Sequence, residues 1–244
     1  MATQRIADWQ RSDRRLFAAV AILFPILVLI GFGRTYYLST LVGGPPVKSL
    51  LVHVHGALMT LWIALFVTQV FLIRAHQRAL HKVLGWYGVA LAGAMVMAGV
   101  LTAAAAGKYG SLSAPPEIPP LVFMAIPMTD LLMFVVFFGA AIYWRTRAAA
   151  HKRLMLMTVL NFLPPAIARI PIPAVRAAGP AVFFGVPTLL TIGLIVYDTR
   201  RTGSLNRIFL VAGVALIASY PLRIIVGGTG AWHAFAQWLT SWAA

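Results

Sequence analysis

Residues 121–144, LVFMAIPMTDLLMFVVFFGAAIYW, decide the fold class of this chain. The stretch is apolar almost throughout, and Asp130 is its one charged residue. A helix needs about 20 such residues to cross the roughly 30 Å of hydrocarbon in a bilayer. The stretch therefore predicts a transmembrane helix.

Six further segments have comparable length and composition, and they lie at residues 16–33, 50–73, 83–106, 154–172, 181–197 and 208–226. Across the chain 61% of residues are hydrophobic and 10% are charged, whereas soluble domains carry about 25% charged residues. This composition excludes a soluble fold. We predict an all-α polytopic membrane protein with seven transmembrane helices over residues 16–226, in which helices 2–5 form a four-helix core.

The basic residues indicate the orientation of these helices. A formal charge of +15 would suit a nucleic-acid binder, but the lysines and arginines lie in short loops beside the apolar segments, so we expect no nucleic-acid partner. Cytoplasmic loops are enriched in such residues. With a cytoplasmic N-terminus, 14 of them lie inside and six outside, the six being Arg34, Lys48, Lys108, Arg169, Arg176 and Arg223. The bias predicts an N-in, C-out protein whose main partner is the lipid bilayer.

The two ends of the chain are predicted to lie outside the bilayer core. Residues 1–15 are polar and form a cytoplasmic N-terminal segment. Residues 227–244 are uncharged, apart from a histidine, and place five apolar side chains at helical spacing: Trp232, Phe235, Trp238, Leu239 and Trp242. This pattern is typical of an amphipathic helix in the outer headgroup layer. The alternative is a docking surface for a partner membrane subunit.

The chain has no cysteine, which excludes disulfides, iron–sulfur clusters and thiolate metal sites. It also has no Walker loop, HExxH or GxSxG motif. Any chemistry must therefore lie within or at the edge of the bilayer. An ionisable side chain at that depth costs about 2.5–3.5 kcal/mol on insertion scales, so each one is a functional hypothesis.

Five such residues are predicted in the outer half of the bilayer. Because a buried carboxylate needs a partner, we expect Asp130 to pair with Arg169 or Arg223. His53 and His55 diverge by about 200° on a helix, so only one can face inward, and we choose His55. With Asp130 they could bind a metal ion or a small polar ligand. The alternative is a structural charge cluster without a ligand.

Asn161 lies three residues before Pro164 and Pro165 in the predicted fifth helix. Proline in a membrane helix leaves a backbone carbonyl without its usual partner. Asn161 therefore indicates a polar pocket at this depth, with an ordinary helix kink as the alternative.

Two histidines are predicted at the inner boundary. Residues 57–85 resemble residues 126–155, and this weak parallel repeat places His81 and His151 at equivalent positions, each followed by lysine. One interpretation is a pair of cofactor ligands. The other is a pair of interfacial anchors.

The run His55-Gly-Ala-Leu-Met-Thr-Leu-Trp62, followed by His81, resembles the start of the four-helix transmembrane b-type cytochromes of the ascorbate-reducible and ferric-reductase type. In that family each of four helices supplies a histidine to one of two haems. The resemblance implies that His81 and His151 are the axial pair of an inner haem b. The third core helix has no histidine, so it implies no complete outer haem.

The hairpin ends around His81 and His151, with Pro164, Pro165 and Arg169 downstream, also resemble an uncharacterised group of bacterial predicted membrane proteins. The two resemblances together cover about residues 53–170. Together the resemblances imply a b-type haem protein of the inner membrane that acts in electron transfer or as a redox subunit. Such a protein would need a quinone or a partner subunit as its electron acceptor. Whether it is itself a membrane oxidoreductase stays open. Two alternatives remain: a non-enzymatic subunit or assembly factor of a larger membrane complex, and a membrane enzyme or small-solute carrier with the outer histidine and aspartate pocket.

Overall fold

The computed structural model describes residues 2–47, 49–111, 114–115 and 117–242, and it describes side chains at Asp13 and from Arg15 onward within those ranges. Part of the charge count rests on Lys48, on Arg14 and on residues 1–12. Lys48 and the side chains of the others lie outside the described residues. In the described ranges every regular element is a helix, as the composition predicted.

Helix α1 covers Ala2–Phe32 and continues into a π-helix at Gly33–Tyr37. The other helices are α2 Leu50–Arg74, α3 Arg78–Tyr109, α4 Pro120–Tyr143, α5 Ala148–Asn161, α6 Leu163–Ile167, α7 Pro173–Ala178, α8 Pro180–Phe183, α9 Gly185–Thr202, α10 Arg207–Gly227 and α11 Gly230–Ser241.

Six stretches of the described chain are long and apolar enough to cross a membrane: Arg15–Tyr37, Leu50–Arg74, Arg78–Tyr109, Pro120–Tyr143, Pro180–Thr202 and Arg207–Gly227. The predicted fifth helix, residues 154–172, is not a continuous span. Helix α5 ends at Asn161 and the five-residue α6 follows, so neither piece alone has the roughly 20 residues that a crossing needs. The two prolines after Asn161 are the local cause, because proline within a helix interrupts the backbone hydrogen bonds.

The chain divides into two compact units. The first comprises residues 1–95, 163–186 and 196–205, and the second comprises residues 96–162, 187–195 and 206–244. The predicted core of helices 2–5 is therefore divided, with α2 and the first part of α3 in one unit and α4 and α5 in the other.

In the first unit α1 packs on α2 and α6. Phe24 of α1 meets Phe66 of α2 edge to face, with 6.3 Å between ring centroids. Close approach to α6 requires a glycine, because a Cβ on Gly31 would lie 2.1 Å from the Ala166 carbonyl oxygen. The ion pairs of Arg201 with Asp198 and Asp13 join the end of α9 to the N-terminal half of α1.

In the second unit α4 packs on α5, α10 and α11. Phe134 is fully buried and lies against Phe162, with ring centroids 5.1 Å apart. Gly227 lets α10 approach α4, because a Cβ there would lie 3.0 Å from the Val122 carbonyl oxygen. These contacts fix the relative positions of α4, α5 and α10, on which the buried charges of this unit lie.

Within the aromatic tail, residues Gly230–Ser241 form helix α11. Its inner face buries Ala236 and Thr240 against α4 and α3, and the Trp232 indole N–H donates to the Leu121 carbonyl across 2.7 Å. Phe235, Trp238 and Trp242 are exposed on the other face.

Candidate functional site

The second unit contains a buried ion pair. The Arg223 Nη1 donates to the Asp130 Oδ1 across 2.6 Å. Both residues are buried, with Arg223 1% exposed and Asp130 7% exposed. Helix α4 carries the carboxylate and α10 carries the guanidinium. The pair that the sequence predicted for Asp130 is therefore formed, and Arg223 is the partner.

The guanidinium of Arg223 is held from its own helix as well. Its Nε donates to the Ser219 carbonyl across 3.2 Å, and its Nη2 donates to the Ser219 hydroxyl across 3.0 Å. The same group lies over the Tyr220 ring, 5.0 Å from the centroid. Residues four and three apart on a helix share a face, so α10 orients the arginine towards α4.

Asn161 adds a third helix to this cluster. It is fully buried, and its Nδ2 donates to the backbone carbonyl of Asp130 across 2.8 Å. This bond fixes the amide orientation, because the reverse orientation would place two carbonyl oxygens together. Among the described residues the Asn161 Oδ1 has no hydrogen-bond partner. The cluster thus offers one unused acceptor beside the ion pair.

We call this group the ionic site, defined by Asp130, Asn161, Ser219, Tyr220 and Arg223. Ser219 and Tyr220 were not singled out from the sequence. Ser219 lies four residues before a membrane-embedded arginine, and that spacing was the signal that could have found it.

The other predicted outer residues belong to the first unit. His53 is exposed, and one ring nitrogen lies 3.2 Å from the Val47 carbonyl oxygen. His55 is half-buried, and its Nδ1 is buried without a hydrogen-bond partner among the described residues. Of the two side chains, that of His55 is the more buried. Arg169 donates to the Pro165 carbonyl across 2.8 Å and lies over the Phe32 ring at 4.6 Å.

The metal hypothesis for the outer residues has no geometric support. In the part of the chain that the structure describes, no three His, Cys, Asp or Glu side chains come together as a metal-binding group. His53 and His55 belong to the first unit and Asp130 belongs to the second.

The inner histidines also lie in different units. His151 has its Nδ1 2.8 Å from the Ala141 carbonyl oxygen, and the His81 carbonyl accepts from the Gln69 Nε2 across 3.2 Å. A ligating histidine commonly donates its second ring N–H to a carbonyl, which orients the ring and leaves Nε2 for the metal. The setting of His151 fits an axial ligand in this respect.

Comparison with protein-family models, with curated proteins and with solved structures gives no match for this chain.

Proposed function

We propose that this protein is a membrane carrier for a small polar or charged solute, and that the solute binds at the ionic site and weakens its ion pair. One observation carries the proposal: Asp130 and Arg223 form a buried ion pair between two membrane-spanning candidates, with Asn161 bonded beside it. Ionisable groups inside membrane helices typically mark solute, ion or proton pathways.

Stability alone gives a weak reason for such a pair. Moving two charged groups from water into a protein interior costs several kcal/mol for each ion. Replacing a buried ion pair by well-packed apolar residues often leaves protein stability unchanged or raises it. In contrast, a pair that can open provides a carrier with two states. A proton on Asp130, or a charged solute competing for Arg223, would weaken the bond between α4 and α10.

The end of α5 supports the same function. The helix stops at Asn161, directly at the ionic site, and a turn at Phe162 precedes α6. Interrupted helices in carriers place irregular backbone at the solute site, where its polar groups can bind the solute. The break also supplies a position at which the backbone can bend while Asn161 keeps its bond to Asp130.

The membrane topology is part of the proposal. We infer that residues 148–167 form a seventh, broken crossing, which gives a cytoplasmic N-terminus and an outer C-terminus in a bacterial plasma membrane. Support comes from the basic residues in the loops near 76, 148 and 202, because cytoplasmic loops are enriched in them.

The test is reconstitution of the purified protein into proteoliposomes on a solid-supported membrane. Amino acids, short organic acids, small amines and a pH step are applied in turn, and we expect a transient current with at least one of them. Substituting Asp130→Asn and Arg223→Gln together removes both charges and leaves a polar amide at each position. This double variant should elute from a size-exclusion column as a folded protein and should give no current.

The matched control is Glu117→Gln, which removes an exposed acid of the same unit and should retain the current. A folded wild-type protein that is silent to the whole panel, or a double variant that keeps the current, contradicts the proposal.

A second candidate is electron transfer through haem b held by His81 and His151. The observation in its favour is the bond between the His151 Nδ1 and the Ala141 carbonyl oxygen. Bound haem would supply one-electron chemistry, and these two imidazoles would be its axial ligands. A quinone or a partner subunit would then exchange electrons with it.

A further inference from the structure

A second polar cluster lies in the first unit, at the π-helix that ends α1. Wide helical turns of this kind are rare and occur often at functional sites. The Tyr36 hydroxyl donates to the His53 carbonyl across 3.2 Å, and the Tyr37 hydroxyl lies 2.9 Å from the Thr60 hydroxyl. These bonds hold the π-helix against the first turns of α2.

The fit between these elements is close. A Cβ on Gly56 would lie 2.4 Å from the Tyr36 ring, so a larger residue there would displace the ring from this contact. Thr35 and His55 are the sequence neighbours of the two residues in this contact, Tyr36 and Gly56.

Two polar atoms of these neighbouring residues have no hydrogen-bond partner in the part of the chain that the structure describes. The Thr35 Oγ1 and the His55 Nδ1 are both buried and have no hydrogen-bond partner among the described residues. Leaving a buried polar group without a partner is unfavourable, and native proteins contain few such groups. A hydroxyl and a neutral imidazole can each donate one hydrogen bond.

Arg169 supplies a cation in the same region of the first unit. Arg169 is close enough for its charge to act on His55, and it covers the ring of Phe32, the residue that precedes the π-helix. The guanidinium therefore lies at the end of α1 that leads into the π-helix and Thr35.

The charges of the first unit favour an anion here. Its acidic residues are Asp8 and Asp13 in the N-terminal half of α1 and Asp198 near the end of α9. The ion pairs of Arg201 show that Asp13 and Asp198 lie together. All three are thus at the opposite end of α1 from the π-helix.

We propose that Arg169, Thr35 and His55 form a binding site for an oxyanion, either a phosphate or a carboxylate. An oxyanion accepts several hydrogen bonds at once, and a guanidinium supplies the charge and a planar donor pair. Such a group could come from an anionic lipid headgroup or from a free solute. This site consists of residues of the first unit, whereas the ionic site consists of residues of the second, and the proposal does not depend on the proposed carrier function.

The experiment measures the thermal unfolding of the purified protein in nanodiscs. Neutral phosphatidylcholine nanodiscs receive inorganic phosphate or acetate, and a second set contains phosphatidylglycerol. We expect a higher unfolding temperature with at least one probe. Stabilisation by phosphate or acetate in neutral discs identifies a free anion, and stabilisation by phosphatidylglycerol alone identifies a lipid headgroup.

The variant Arg169→Gln should bind the active probe roughly tenfold more weakly, because it loses a charged hydrogen bond. Arg176→Gln, which removes an exposed arginine of the same unit, is the matched control and should bind as the wild type does. If Arg169→Gln does not fold, Thr35→Val serves as the second variant and should also weaken binding. Equal binding by the folded variant and the control, or no response to any probe, overturns the proposal.

Discussion

The side-chain amide of Asn161 donates to the backbone carbonyl of Asp130 across 2.8 Å. This bond joins the end of α5 to the middle of α4, at the same residue whose buried carboxylate pairs with Arg223 of α10. Three helices therefore meet at one buried polar cluster, and substitution of any member should alter the hydrogen bonds of the others.

Removing one partner of the ion pair should be more harmful than removing both. Arg223→Gln or Asp130→Asn alone leaves an uncompensated buried charge, which typically costs about 3–5 kcal/mol. The double variant should be destabilised by much less than the sum of the single variants. Denaturant unfolding in mixed micelles measures this coupling, and additive effects would show that the two charges do not interact.

Substitution of Asn161 should distinguish its donor from its unused acceptor. Asn161→Leu loses the hydrogen bond to Asp130 and also removes the unsatisfied oxygen, so we expect a loss of about 1–3 kcal/mol. Asn161→Asp has no N–H to donate and brings a second acid to the Asp130 carbonyl, so it should be less stable than the leucine variant. The unfolding midpoints of the two variants measure this difference. A higher midpoint for the aspartate variant than for the leucine variant would refute the assigned amide orientation.

Single cysteines test the topology, because the natural chain has none. With seven crossings, an impermeant maleimide on intact cells should label Ser111→Cys but not Gln77→Cys or Thr202→Cys. If residues 148–167 do not cross, the last two spans are reversed and Thr202→Cys is labelled as well. The label at position 202 therefore decides between six and seven crossings.

Gly31→Ala should destabilise the first unit. The added Cβ would lie 2.1 Å from the Ala166 carbonyl oxygen, and overpacking of this kind costs about 1–3 kcal/mol. Gly33→Ala is the matched control two residues along, because nothing lies within 4 Å of its Cβ position. Thermal unfolding of the two variants should separate them, whereas equal midpoints would contradict the close packing of α1 on α6.

The haem candidate predicts a visible spectrum. Protein purified from haem-replete cells should show a Soret band that changes on dithionite reduction and is lost in both His81→Ala and His151→Ala. The exposed His53 gives a matched control, and His53→Ala should keep the band. A colourless wild-type preparation would return the two inner histidines to the role of interfacial anchors.

Much of the fold follows from local properties of the sequence. Long apolar runs predict helices wherever they occur, and six of the seven predicted segments correspond to stretches able to cross a membrane. The segment at 154–172 shows the limit of this reasoning. Mean hydropathy over a window does not register a break in the backbone, and the break after Asn161 depends on how the prolines and the neighbouring backbone are accommodated.

The sequence by itself determined that Asp130 needs a partner, because the energetic cost of a buried carboxylate follows from its position in an apolar segment. It did not determine which arginine that partner is, since Arg169 and Arg223 are predicted at similar depths. Only the tertiary structure decided for Arg223, by packing α10 on α4, and it also showed that His53, His55 and Asp130 form no common metal site among the described residues. The physical reason is that depth along a helix is local information, whereas side-chain partnership depends on which helix faces pack together.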